Sequence, residues 1–284
     1  MRLLNLVLIA LVLAFPMVAP ASAGVVRDVI YDTAKDIDPG DVRADVYTPE
    51  GARNAPVVIM VHGGAWTYGN KQNAIGQFQS SFFNEQGFVY IAINYRLAPA
   101  HPFPAQVKDS AAAIAYFHKH AAEYGGDPDK IFLMGHSSGG HTVAMVAIDP
   151  DYLDAEGLST DVIKGVVSLD SAAYNMIRTG EDGHIPRFYH PAFTKDDPEI
   201  WAAASPTLQV EEATPIPPFL LLYVDRAISP SRAKELAETL NSAGHSAEAK
   251  LARKRNHKSL NRRLGEKGDK IGPMIVDFFE DQLD

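Results

Sequence analysis

Five residues, Gly135-His136-Ser137-Ser138-Gly139, carry the first chemical signal in the sequence: a serine with a glycine two positions away on either side. A serine hydroxyl is a weak nucleophile until it is lifted clear of the backbone and set beside a base. The G-x-S-x-G spacing suits that task where a strand turns sharply into a helix, because the flanking positions must lack Cβ atoms if neighbouring backbone passes close by. The surroundings fit such a turn. Ile131-Phe132-Leu133-Met134 is an apolar run of strand character, and Thr142-Val143-Ala144-Met145-Val146-Ala147 reads as a helix. A nucleophile at Ser137 would require a base, an acid to orient that base, and N–H donors for a tetrahedral oxyanion.

Candidates for each role can be named. His62-Gly63-Gly64-Ala65-Trp66 follows the apolar run Val57–Val61, and a loop of small residues after a strand can aim backbone N–H groups at developing negative charge. Ten histidines are present. His118 and His120 fall in a helical stretch, His141 in the helix after Ser137, and His245 in a turn after Gly244. His257 stands in the basic, polar stretch Arg253-Lys254-Arg255-Asn256-His257-Lys258-Ser259-Leu260-Asn261, beyond the last expected strand. Two carboxylates end apolar runs: Asp170 after Val166-Val167-Ser168-Leu169, and Asp225 after Phe219–Val224. Asp109 and Asp127, the latter beside Pro128, read as structural. No metal-ligand spacing, phosphate loop or dinucleotide fingerprint occurs, so neither a metal nor a cofactor is expected.

The elements that must position these groups follow from hydropathy. Strands are expected over Val25–Tyr31, Val42–Thr48, Val57–Val61, Phe88–Ile93, Ile131–Gly135, Val162–Asp170, Phe219–Val224 and Ala247–Leu251. Helices are expected near Gln77–Gln86, from Val107 to about Tyr124, over Pro230–Ser242, and around Ile275–Phe279, with Ser229 as the cap of the third. Strands alternating with helices, with continuous apolar strand runs, imply a mostly parallel sheet covered on both faces. The stretch from about Tyr174 to Pro218 breaks this rhythm and reads as an insertion, with Phe188, Tyr189, Phe193 and Trp201 scattered among charges. The first 23 residues have the form of a cleaved export leader: Arg2, an apolar run from Leu3 to Phe15, and Ala21-Ser22-Ala23 as the cleavage site. The mature chain is then a single domain over Gly24–Asp284, periplasmic or secreted, with no stable membrane insertion. The formal net charge of −9 argues against nucleic-acid partners, and the absence of cysteine excludes thiol catalysis and disulfides.

The motifs occur in a telling order. His62-Gly63-Gly64-Ala65-Trp66 is followed by Asn94-Tyr95-Arg96-Leu97-Ala98-Pro99, then by Pro102-Phe103-Pro104-Ala105 with Asp109, then by Tyr124-Gly125-Gly126-Asp127-Pro128, and then by the Ser137 turn. This series resembles the hormone-sensitive-lipase-like branch of the α/β-hydrolases, densely from about Ala55 to Ala147 and thinly afterwards. The resemblance implies an α/β-hydrolase fold: a mostly parallel twisted sheet with helices on both faces and a small insertion, about residues 171–218, after the sixth strand. It also implies hydrolysis of a small carboxylic ester through an acyl-enzyme on Ser137, with no cofactor. Gly64, Ala65 and Ser138 would supply the oxyanion N–H groups, His257 the base, and His62 a hydrogen bond that holds its loop. Family members carry their acid two or three residues beyond the strand that here ends at Val224, where this sequence has Arg226, Ala227 and Ile228. Asp225, the nearest carboxylate, is the first choice and Asp170 the alternative. Trp66 and Tyr68 would line the substrate pocket or pack in the core. Arylformamidase-like relatives share the HGGxW motif, so an amidase stays open, as does a non-catalytic binding protein on the same fold.

Overall fold

The computed structural model describes residues 23–283 except 35, 36, 39, 182, 184–186, 194–196, 212 and 213, so the expected leader lies outside the described residues apart from Ala23. Eight strands, β1 (Gly24–Ile30), β2 (Arg43–Thr48), β3 (Ala55–Val61), β4 (Val89–Ile93), β5 (Gly126–His136), β6 (Ile163–Leu169), β7 (Phe219–Tyr223) and β8 (Ala247–Leu251), form one sheet in the order β1-β2-β4-β3-β5-β6-β7-β8. The pairings of β1 with β2 and of β2 with β4 are antiparallel, and the rest are parallel. The helices are α1 (Gln79–Glu85), α2 (Ala105–His120), α3 (Ser138–Ile148), α4 (Asp151–Asp154), α5 (Met176–Glu181), α6 (Pro198–Ala203), α7 (Ser229–Ser242), α8 (His257–Arg262) and α9 (Ile271–Glu280).

Strand side chains alternate between two cores. Val57, Ile59 and Val61 of β3 and Ile131 and Leu133 of β5 face α2, α3 and α7, meeting Ile114, Phe117, Val143 and Leu236. Val58, Met60, Phe132 and Met134 face the other way, onto Phe83 of α1, Leu260 of α8, and Ile275 and Phe279 of α9. Cover on both faces is the reason these strands read as unbroken apolar runs.

Register then gathers the strand ends. Val61 pairs with Gly135, His136 with Leu169, and Leu169 with Leu222. The loop after β3, the turn after β5 and the exits of β6 and β7 therefore share one edge of the sheet. The chain between β6 and β7 carries α5 and α6 and packs Met176, Ala192, Phe193 and Ala204 onto Ala65 and Trp66. One expectation is corrected here. Ser229 does not cap α7; Ile228 holds that position, Ser229 is the first helical residue, and its hydroxyl serves a different partner, described below.

Phe279 is fully buried and its ring lies 4.4 Å from that of Phe132 and 6.0 Å from that of Phe88. Phe279→Ala is expected to cost about 3–5 kcal/mol of stability, read as a lower urea midpoint at constant slope.

Candidate active site

β5 ends at His136, and Ser137 turns the chain into α3 with φ 56° and ψ −117°. That left-handed backbone costs a non-glycine residue of order 1–3 kcal/mol. The surroundings hold it: Ser137 N donates to Leu169 O at 3.0 Å. A Cβ at Gly135 would lie 2.2 Å from Gly139 O, and one at Gly139 only 2.1 Å from Val61 O. Both flanking positions must therefore be glycine, for the reason read from the motif.

The loop after β3 is equally constrained. Gly64 has φ 138° and a Cβ there would sit 1.8 Å from Tyr68 O. Ala65 and Trp66 follow with φ of 50° and 60°. Gly64 O accepts from the N–H groups of Thr67 and Tyr68. Among the described residues, the N–H groups of Gly64 and Ala65 donate to no acceptor. Ser138, as the first residue of α3, has an N–H with no intrahelical acceptor. His62 donates from Nδ1 to Gly63 O at 2.8 Å and stacks on Tyr95 with ring centres 4.2 Å apart, so it does hold the loop. Trp66 is buried, edge-on to Tyr189, Phe193 and His141 at 4.7–5.2 Å, and belongs to the packing between loop and insertion. Tyr68 is exposed and lines the cavity.

The carboxylate that meets His257 is not the one preferred from the sequence. His257 Nδ1 lies 2.6 Å from Asp170 Oδ2, whereas Asp225 is exposed at the surface. The physical reason is the strand exit. Asp170 follows β6 with φ 55°, its N–H bonded to Leu222 O at 2.6 Å, and points its carboxylate inward across the end of β7. There it collects Val224 N at 3.1 Å, Arg226 Nε at 2.6 Å and the hydroxyl of Ser229. Burial pushes the Asp170 carboxyl pKa up. The hydrogen bond from His257, the charge of Arg226 and the bonds from Ser229 and Arg226 more than reverse this, holding it at about 2. Arg226 and Ser229 were not singled out as site residues by the sequence, although an arginine where relatives place a carboxylate was itself a signal.

His257 is the first residue of α8. Asn256 caps that helix, its side chain accepting from Ser259 N while Ser259 Oγ accepts from Asn256 N. His136, also missed as a site residue, donates from Nε2 to His257 O at 2.9 Å. A carbonyl only accepts, so that nitrogen carries the proton. Burial and the neighbouring charge of His257 bring the His136 pKa down to about 3, which keeps the ring neutral. The other histidines lie elsewhere: His141 donates to Ala204 O, His245 to Glu211 O, and His120 pairs with Glu123. Asp109 is a buried partner of Arg96, and Asp127 pairs with Lys130, both structural as expected. Ser137, His257, His136, Gly64 and Tyr68 line one open cavity of about 420 Å³.

Sheet order, the strained serine between β5 and α3, and the histidine beyond β8 define an α/β-hydrolase. Solved structures agree: esterase B from Lactobacillus rhamnosis superimposes with a TM-score of 0.73 at 20% identity, covering 93% of this chain and 87% of that one. A bifunctional GH43-CE protein of Bacteroides eggerthii gives 0.75 at 22% identity over 92% of this chain and 38% of that one. Within this fold, the chain belongs to the BD-FAE family, which matches residues 44–240. It is 31% identical over 234 residues to a probable isoprenylcysteine alpha-carbonyl methylesterase of Arabidopsis thaliana, covering 77% of this chain and 48% of that protein. It is also 40% identical over 108 residues to a carboxylesterase of Mycobacterium tuberculosis, covering 38% of this chain and 34% of that protein. The chain thus spans less than half the length of these curated relatives.

The buried rings set an acid limit on stability. Burial lowers the pKa of His62 and His141 to about 4 and, helped by His257, that of His136 to about 3. The unfolded chain binds protons at these positions that the folded chain excludes, so each ring removes up to about 1.4 kcal/mol per pH unit below about pH 6.5. The loss runs on to about pH 4 for His62 and His141 and to about pH 3 for His136. Asp170 acts in the same direction lower down: its contribution is complete above the ordinary carboxylate range and disappears as pH falls through about 2. Urea unfolding at stepped pH should show stability falling steadily from neutrality to pH 4, with proton uptake on unfolding approaching three; a flat profile would contradict neutral burial of the rings.

Proposed function

We propose that this protein is a serine carboxylesterase that cleaves small carboxylic esters through an acyl-enzyme on Ser137. The observation that carries the reading is the 2.6 Å hydrogen bond between His257 Nδ1 and the buried carboxylate of Asp170, with His257 and Ser137 lining one cavity. The carboxylate accepts the Nδ1 proton and so fixes the tautomer, leaving Nε2, on the opposite edge of the ring, as the base. Ser137 Oγ attacks the ester carbonyl while His257 Nε2 takes its proton. The oxyanion that forms is met by the N–H groups of Gly64, Ala65 and Ser138. Collapse breaks the carbonyl–alkoxy bond, the imidazolium returns its proton to the leaving oxygen, and water repeats the cycle on the acyl-serine. Asp170 stays ionised throughout and stabilises the imidazolium. Support also comes from relatives named methylesterase and carboxylesterase, and from the solved structure of esterase B inhibited with a tributyrin phosphonate. A cavity of about 420 Å³ lies at the small end of the range for ligand sites and suits a small ester. Export through the leader Met1–Ala23 belongs to the same proposal.

A fluorophosphonate should label the wild-type protein and not Ser137→Ala, and Ser137→Ala, folded by circular dichroism, should not turn over p-nitrophenyl acetate. Asp170→Asn should lower kcat by up to about 10⁴-fold, the loss seen when a triad acid is neutralised. Asp225→Asn should lose less than about tenfold, because that side chain lies outside the site. Turnover by folded Ser137→Ala would overturn the mechanism, and a larger loss in Asp225→Asn than in Asp170→Asn would return the acid to β7.

A further inference from the structure

The chemistry above uses His257 but not the basic residues around it. On α8 the cavity is lined by His257, Lys258, Asn261 and Arg262, with Asn261 one turn beyond His257 and Arg262 one turn beyond Lys258. Two of these are cations. Among the described residues that line the cavity, none is Asp or Glu. This is opposite to the bias of the whole chain, which has 35 acidic against 26 basic residues.

Helix stability does not account for the arrangement. Like charges four residues apart on a helix repel. Arg262, in the last turn, is placed favourably with respect to the helix dipole, but Lys258 stands in the first turn, at its positive end. Lys258 also lines the same cavity as the ring that must become an imidazolium during the proposed reaction. Two neighbouring cations are neutralised, Arg255 by Asp269 at 2.6 Å and Arg263 by Glu266 at 2.5 Å. Lys258 and Arg262 are exposed, and among the described residues neither has a carboxylate within ion-pair distance. Two uncompensated cations on the wall of a concave site raise the local concentration of anions and strengthen their binding.

We propose that the cavity selects esters carrying a carboxylate, in the acyl or the leaving group, bound by Lys258 and Arg262; this rests on the hydrolase reading above. The anion would sit against α8 while the carbonyl reaches Ser137. It would offset the repulsion between the two cations.

Two matched pairs test this. In 3-acetoxybenzoate and its methyl ester the charge lies on the leaving group; in mono-4-nitrophenyl terephthalate and its methyl ester it lies on the acyl group. Each kcat/KM is divided by the alkaline hydrolysis rate of the same ester. The wild type should favour the anion in at least one pair by roughly tenfold, equivalent to about 1.4 kcal/mol. That ratio should fall about tenfold in Lys258→Gln/Arg262→Gln and should shrink as NaCl rises from about 0.05 to about 0.5 M, because salt screens exposed charges. Turnover of the neutral esters with no anion preference in either pair would overturn the inference and leave the esterase reading intact. A preference that the double variant retains would overturn the assignment to α8. No turnover of any of the four esters would overturn both readings.

Discussion

The structure depends on one carboxylate that has no contact with solvent. Asp170 is fully buried at the exit of β6, and an ionised group there is tolerable only if donors surround it. They come from four separate places: the backbone leaving β7 at Val224, Arg226 in the next turn, Ser229 at the start of α7, and His257 at the start of α8. Breaking such a buried arrangement by removing one partner typically costs about 3–5 kcal/mol. The carboxylate thus ties the chain beyond β7 to the middle of the sheet. Arg226 and His257 share the same oxygen, Oδ2. Because the guanidinium is always charged, the carboxylate keeps a cationic partner in either protonation state of the histidine.

Polar contacts of the same kind tie the cavity walls together. Gln79 donates to Asn261 O and Oδ1 and accepts from Tyr90, and Asn261 donates to Ala74 O. The helix that carries His257 and the loop that faces it are thereby held to α1 and β4. Further along that loop, the buried ammonium of Lys71 meets the fully buried carboxylate of Asp45 at 2.6 Å, and Lys71 N bonds Asn94 Oδ1. The stretch that starts at Gly63 is pinned at both ends. With Ser137, Ala65, Trp66 and Asp170 all at positive φ, this anchoring lets strained backbone persist where a looser frame would relax it.

Much of this was legible in the sequence because it depends on local sterics and hydropathy. The paired glycines around Ser137, the small-residue loop after Val61 and the apolar runs of the central strands each follow from requirements on neighbouring residues. The position of His257 beyond the last strand followed from chain order together with the resemblance. Which carboxylate meets His257 was not legible, because the choice between Asp170 and Asp225 turns on which of two strand exits points inward, and that is set by register between β6 and β7. Ser229 shows the same limit. Its position before a proline matches a helix cap, and only the buried oxygen of Asp170 redirects its hydroxyl. Trp66 could not be assigned to pocket or core until the insertion that covers it was in place.

The contact between Gly139 and the end of β3 has a wider consequence. The loop after β3 and the start of α3 are spaced by backbone against backbone, 2.1 Å from where a Cβ would be. The N–H groups of Gly64, Ala65 and Ser138 are therefore set apart by hard-core repulsion, not by any side chain that substitution could resize. The groups facing the open cavity, Tyr68, Asn73, Lys258 and Arg262, are side chains on its rim. Mutational drift can thus alter what the pocket admits without disturbing the frame behind it, whereas the frame itself tolerates change only when two distant segments change together. Evolvability at the rim and epistasis in the frame are two results of the same packing.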